Sequence, residues 1–541
     1  MGDRMIGGPS ASGRERYLAA RVLNALLREN YGGLAGRVTR CKNGVALVLV
    51  GGRRVRLVPG SLFQDFVVAP EEALGLPEVL RTLREIAAPA DAPGVEAFTR
   101  ECREALRALD LHGAHRDEVL TRLRGTRLCA VRYETLAAFV DHPVYPTARC
   151  RTGLSDRELT AYAPEFAPAF DLRWAAVPRE RAAGAAVPYA PEFPVAGLPE
   201  SLSGTHVLFP VHPLTVRAVE EIPWATVGPE SYLEVRPTLS TRTVVIDCDT
   251  HLKLPLATST LGLRNRRSIK PATLADGARA ELLLREMPDP GVLLADEQTY
   301  GHAGHEYLGW LVRRLPEGEI VPVAALLAPL PGGGLVLEEL AGRWYAGDVP
   351  RMLGEYLRLL FGFHVRLFVH YGTALETHQQ NLSLVLGHGP ARLLVKDNDG
   401  LLTSPDRLRA AGVAVPDFVD GRMLTDDPHA LADVFVTITL HLAAAAVTFG
   451  VLPPPQAARL IRDTLAEALA EHGGDPMARL LRARTLDAAR LVGKSMITAG
   501  TLADKARTGA RDVNKFYGTS GPNYLRQPPQ AIQNMIIRRT P

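Results

Sequence analysis

The sequence predicts a mixed α+β protein with a helical N-terminal part, a sheet-rich centre and a helix-rich C-terminal part. Three observations carry that expectation. Apolar residues recur at spacings of three and four through 17–27 and read as a long helix again over 351–371. Short β-branched runs crowd the middle third, at His206–Val211, 232–237, 243–248 and 252–257, behind proline-rich loops over 177–199. Helical patterning then returns over 427–491, enough for two or three helices.

Taken in order, the first helix is followed by a hairpin, 45–50 and 55–58, joined through Gly51-Gly52-Arg53-Arg54. Residues 71–140 read as mostly helical, with a proline/alanine break near 88–94. In the centre, 243–248 and 252–257 form a hairpin whose turn is 247–251. A second hairpin is expected from 384–386 and 393–395. The apolar stretch 436–452 is interrupted by His441 and falls short of the ~20 residues of a membrane span, so a buried helix is expected. Domain boundaries are placed at 1–135, 136–345 and 346–541.

Composition narrows the function. The 541 residues are 46% hydrophobic and 22% charged, ample for a large core and far from intrinsic disorder. Lys+Arg (62) and Asp+Glu (59) leave a net charge of +3, which argues against a dedicated nucleic-acid binder. Five scattered cysteines without a C-x-x-C make a disulfide scaffold or zinc ribbon improbable and point to a reducing compartment. The N-terminus lacks the apolar core of a secretory signal, so a soluble cytoplasmic protein without membrane contact is expected.

The common catalytic loops fail. Gly493-Lys494-Ser495 ends like a P-loop, but Ala488 stands where the first glycine is needed. There is no strand-linked G-x-G-x-x-G and no G-x-S-x-G. His302 and His305 flank a glycine without the residue order of a zinc helix.

Three polar clusters survive. In the first, His142, Arg149 and Arg151 lie on a stretch stiffened by Pro143 and Pro146 and suit an anion. The second is Ser240-Thr241-Arg242-Thr243, then Lys253, Thr258-Ser259-Thr260 and Arg264. Strand–turn–strand geometry is expected to set Arg242 opposite Lys253 at a sheet edge, where an anion would relieve their repulsion. Bidentate guanidinium, point-charge ammonium and hydroxyls equip this cluster for a polyphosphate. The third runs Glu376-Thr377-His378-Gln379-Gln380-Asn381 into an apolar strand, with Lys396-Asp397-Asn398-Asp399-Gly400 after the next. Kinase-like folds hold nucleotide-bound Mg²⁺ with this layout.

With these clusters the chain resembles the IucA/IucC family, the nonribosomal-peptide-synthetase-independent siderophore synthetases. That family runs H-P-x-H-P-x-x-K-x-R-x-G, then S-x-R-T followed by Lys and Arg, then E-x-H-x-Q-N with a later R-D. The matches here are His142 to Gly153, Ser240/Arg242/Thr243 with Lys253 and Arg264, and Glu376/His378/Gln380/Asn381 with Asp397. Tyr145, Arg149 and Lys396 depart from the pattern, standing for His, Lys and Arg.

The resemblance implies a hand-like fold. Its thumb is 1–135, its fingers 136–345, and its palm 346–541, with kinase-like nucleotide binding. It implies ATP and Mg²⁺, a carboxylate such as citrate activated as an acyl adenylate, capture by an amine, hydroxylamine or alcohol, and a homodimer. Ser240, Arg242, Thr243 and Lys253 are expected on the triphosphate, with Gln380 and Asn381 on nucleotide or substrate. His142, Arg149, Arg264 and His378 are expected on the carboxylate, with Arg264, Arg242 and Lys253 supporting the reaction and His378 as a candidate base. Glu376, Asp397 and Asp399 are the metal candidates. The C-terminal third, with Lys494, Lys505 and Arg507, is expected to close over substrate.

Two rivals stand beside this reading. A small-molecule kinase would carry Asp two positions after His378, where Gln380 stands. A degenerate binding protein would keep the pocket without chemistry.

Overall fold

A computed structural model describes residues 11–41, 44–60, 62–124, 129–387, 389–509 and 515–526. Helix α1 (Ala11–Arg28) buries Leu18, Val22, Leu23 and Leu26, the residues whose spacing predicts it. It packs on α2 (Leu76–Ile86) and α3 (Ala92–Leu123), which Pro77 and Pro93 open at their first turns. Beside them lies an antiparallel sheet of β1 (Val38–Cys41), β2 (Gly44–Val48), β3 (Arg54–Pro59) and β4 (Phe66–Val68); β2 and β3 form the expected hairpin. Helix α4 (Ala130–Ala137) leads into the loop of the first polar cluster.

The centre holds an eight-stranded sheet. Its members are β5 (Phe170–Pro178), β6 (Ala183–Gly184), β7 (His206–Val211), β8 (Thr226–Pro237), β9 (Thr243–Val245), β10 (Thr250–Lys253), β12 (Asp296–His305) and β13 (Leu308–Arg314), with β11 (Val292–Leu294) lying outside it. Their spatial order is β6-β12-β13-β10-β9-β8-β5-β7.

The β9–β10 hairpin forms as expected, but in mid-sheet and with a different register. Lys253 faces Thr243, and the Arg242 carbonyl accepts from the Leu254 N–H. Arg242 and Lys253 are therefore not an opposed pair at a sheet edge. Both flanks of the hairpin are occupied, by β8 and β13.

A smaller sheet, β11-β16-β15-β14, combines β14 (Glu319–Pro322) with β15 (Leu382–Leu386) and β16 (Arg392–Val395), the hairpin expected at 384–386 and 393–395. The largest hydrophobic core covers this sheet with the helix Val349–Tyr371 and the C-terminal helices. The apolar stretch lies in a continuous helix, Pro428–Thr448, whose most apolar window is 83% buried, a core element by its packing. Its middle, Phe435–Ala445, is wound as a π-helix.

Candidate active site

A cleft of about 1250 Å³ opens where the two sheets, the α4 loop and the C-terminal segment meet. His142, Arg149, Ser240, Arg242, Lys253, Arg264, Glu376, His378, Gln380, Asn381, Asp397 and Asp399 all line it. Thr243 does not: it is 3% exposed in β9, and Thr241 takes its place on the wall. The three polar clusters thus converge on one space.

The Ser240–Arg242 turn is held by its own hydroxyls. Ser240 Oγ accepts from the Thr243 N–H at 3.0 Å, and Thr241 adopts φ +65°, a conformation L residues rarely take. Among the described residues the Arg242 guanidinium donates once, to the Ser268 carbonyl at 3.1 Å.

Lys253 crosses to the third cluster instead of facing Arg242. Its ammonium sits 2.5 Å from Asp397 Oδ1 and 3.4 Å from Asp399 Oδ2. Burial would raise the Asp397 carboxyl, but Lys253, Arg313 and Arg242 outweigh it and hold the group well below the carboxylate range. Behind it, Arg313 and Glu297 form a buried ion pair, and Glu297 accepts from the Asp397 N–H at 3.0 Å. Asp397 itself sits at φ +64°.

Among the described residues no three His, Cys, Asp or Glu side chains cluster as a ready-made metal cage. Asp397 and Asp399 share Lys253. Glu376 lies 3.4 Å from the Lys494 ammonium, and a Cβ at Gly400 would meet Glu376 Oε2 at 2.7 Å. Burial would raise the Glu376 carboxyl, but Lys494 and Lys515 keep it low. Carboxylates kept ionised beside a turn suit Mg²⁺, which takes one or two protein carboxylates along with phosphates and water.

The two cleft histidines share one arrangement. His142 Nδ1 accepts from the backbone N–H of Val144 (3.2 Å) and Tyr145 (3.0 Å), and His378 Nδ1 from that of Gln380 (3.3 Å). Burial, then neighbouring charge, lowers His142 to about 3; burial also leads in lowering His378 to about 4. Both rings are neutral at pH 7, with the proton on Nε2. His378 therefore offers a hydrogen-bond donor, and the expected base role lacks its lone pair.

Several expected cations are already engaged. The Arg149 guanidinium donates to Asp141 (2.8 Å), to the carbonyls of Ala138 and Phe139, and lies 2.8 Å from His112 Nδ1, so it braces its own loop. Arg264 donates to the carbonyls of Ala499 and Ala503, both at 2.7 Å, and ties the cleft arm to the C-terminal segment. Arg151 pairs with Glu165 through two bonds of 2.7 and 2.8 Å. Arg507 pairs with Asp91 away from the cleft, while Lys494 and Lys505 do line it. Tyr145 is fully buried and donates to Glu101 at 2.8 Å, outside the cleft.

Arg267 is the cation the sequence reasoning missed. It lines the cleft with a buried Nε that has no partner among the described residues, and burial followed by Arg242 lowers it to about 9. The run Arg264-Asn265-Arg266-Arg267 signalled a basic arm, but only the bonding separates its members.

Two family models match consecutive parts of the chain. The IucA / IucC family model matches residues 130–328, which hold the first two clusters and the arginine arm. Over those residues the chain is similar to the IucA/IucC family. A second model, Ferric iron reductase FhuF-like transporter, matches residues 353–507.

Staphyloferrin A synthase of Staphylococcus aureus is 26% identical over 303 residues, 48% of this chain and 51% of that protein. Rhizobactin siderophore biosynthesis protein RhbC of Rhizobium meliloti is 25% identical over 368 residues, 57% of this chain and 60% of that protein. The chain thus spans about half to three-fifths of these relatives. The fold is shared end to end with petrobactin biosynthesis protein AsbB of Bacillus anthracis (TM-score 0.72, 16% identity, 98% of both chains). It is shared also with ATP-bound aerobactin synthetase IucA of Klebsiella pneumoniae (TM-score 0.67, 17% identity, 94% of this chain and 99% of that one).

Proposed function

We propose that the protein is an ATP-dependent siderophore synthetase. It joins a carboxylate, citrate or a related di- or tricarboxylate, to an amine, hydroxylamine or alcohol. The observation that carries this reading is the meeting of cations and carboxylates across one cleft: Arg242 and Arg267, with few hydrogen-bond partners among the described residues, on one wall, and Asp397, Asp399 and Glu376 on the other.

In the first step a carboxylate oxygen attacks the α-phosphorus of ATP and pyrophosphate leaves. Two anions approach each other, so the barrier is largely electrostatic and preset positive charge lowers it. Arg242, Arg267 and the Ser240–Thr241 turn face the phosphates. Asp397, Asp399 and Glu376 are the residues that would hold Mg²⁺, which withdraws charge from phosphate oxygens when bound. The Nε2–H groups of His142 and His378 donate to the carboxylate or to the oxyanion that develops. In the second step the nucleophile attacks the acyl carbon, loses its proton, and AMP leaves. A homodimer and a cytoplasmic setting belong to the same reading.

The test is the nucleotide product. Enzyme, ATP, Mg²⁺ and hydroxylamine are incubated with citrate, 2-oxoglutarate, succinate or no acid. Acid-dependent AMP and pyrophosphate with a hydroxamate are expected. ADP would assign a kinase, and tight ATP binding with silence for every acid would favour a binding protein.

A further inference from the structure

Glu134 lies on α4, outside the clusters discussed so far, and is 1% exposed. Its two oxygens serve different partners. Oε2 accepts from the Leu239 N–H at 3.0 Å, and Oε1 accepts from the Lys396 ammonium at 3.0 Å. Leu239 immediately precedes the Ser240–Arg242 turn, and Lys396 immediately precedes Asp397. The Lys396 backbone N–H also donates to the Asn381 carbonyl at 3.1 Å. One buried carboxylate therefore connects all three cleft segments of the central and C-terminal parts.

Both loops it holds are strained. Thr241 and Asp397 adopt φ of +65° and +64°, a region unfavourable to L residues that persists only where surroundings enforce it. A buried ion pair is by itself weak evidence of a stabilising role, since desolvation offsets its attraction. Here the pair has a geometric consequence. It joins the wall that carries Arg242 to the wall that carries Asp397 and Asp399.

We propose that Glu134 is a positioning residue that sets the spacing between the phosphate-facing turn and the acidic loop, with Lys396 as its counterpart. This rests on the reading of the cleft as a nucleotide site. It also gives the Lys396 departure a function: the position requires a cation that reaches Glu134, not one that reaches substrate.

The test uses the full chain with ATP and Mg²⁺, without any acid, by titration calorimetry well below each variant's Tm. Glu134→Gln and Lys396→Met should each weaken ATP binding about tenfold, and the double variant should bind no worse than the weaker single, because both break one bridge. Lys396→Arg, which restores the cation, should recover most of the loss seen in Lys396→Met. Hydrogen exchange without ligand gives a second readout: amides of 239–243 and 396–400 should both exchange faster in Glu134→Gln.

Wild-type affinity in folded Glu134→Gln, additive losses in the double variant, or faster exchange in one loop alone would overturn the proposal. Failure of the wild type to bind ATP would instead remove the nucleotide reading. The exchange result still decides whether the bridge couples the loops. Where Glu134→Gln does not fold, the Lys396→Met and Lys396→Arg pair carries both readouts.

Discussion

Replacing Arg267 with Met separates a ligand-binding cation from a structural one. In the free protein burial, then Arg242, outweighs the opposing pull of Asp397 and Asp399 and lowers the guanidinium to about 9, and its buried Nε has no hydrogen-bond partner among the described residues. Removing an unpaired, partly buried cation of this kind returns on the order of 1–3 kcal/mol after allowance for solvent screening. In a chain of this size that raises the Tm by a few degrees at most, about 1–3 °C. With ATP the sign reverses. Charge-assisted hydrogen bonds contribute ~1.5–3 kcal/mol, so affinity should fall about 10- to 150-fold. Scanning calorimetry of the free protein and titration with ATP and Mg²⁺ measure the two sides separately. A Tm several degrees lower with ATP affinity unchanged would show that Arg267 supports the fold and that the electrostatic account of the cleft is wrong.

Further outcomes follow from the same bonding. Asp397 titrates below its unfolded value, so it adds stability that is present above about pH 4 and fades as pH falls toward the folded pKa. Lys253→Met removes its nearest counter-charge and should cost about 3–5 kcal/mol at pH 7 while flattening the acid limb of a Tm–pH profile; a profile parallel to the wild type would contradict this. Tyr145→Phe deletes a hydroxyl bound to buried Glu101, so it should lower stability by about 1–3 kcal/mol and leave ATP affinity unchanged, as thermal melts and calorimetry would show. His142 and His378, lowered to about 3 and about 4, stay neutral from pH 6 to 8, so neither should impose a titration on kcat/KM in that range. A pKa near the ordinary histidine value that vanishes in His378→Gln would restore the base role.

The second and third clusters were legible because each combined charged or amide side chains with an adjacent apolar strand, a pattern a solvated loop has no reason to hold, whereas the first is a proline-stiffened loop between two helices. The three hairpins were legible for the same reason, through runs of Val, Leu and Ile broken by turn residues. What the sequence concealed depends on partners from distant segments. Arg149 looks like a free cation until His112 on α3 and the carbonyls of Ala138 and Phe139 surround it. Arg264 is taken by Ala499 and Ala503, more than two hundred residues away. The opposition of Arg242 and Lys253 failed because a one-residue change of register moves every side chain along a hairpin, and turn residues alone do not set that register. The acid that receives Lys253 lies 144 residues further on.

Oxygen transfer tests the central claim most directly. The acid that supports AMP release in the product assay is labelled with ¹⁸O in its carboxyl groups, and the AMP is read by mass spectrometry. Attack of the carboxylate on the α-phosphorus requires one labelled oxygen in each AMP formed. Unlabelled AMP, or label in inorganic phosphate alongside ADP, would contradict acyl adenylation.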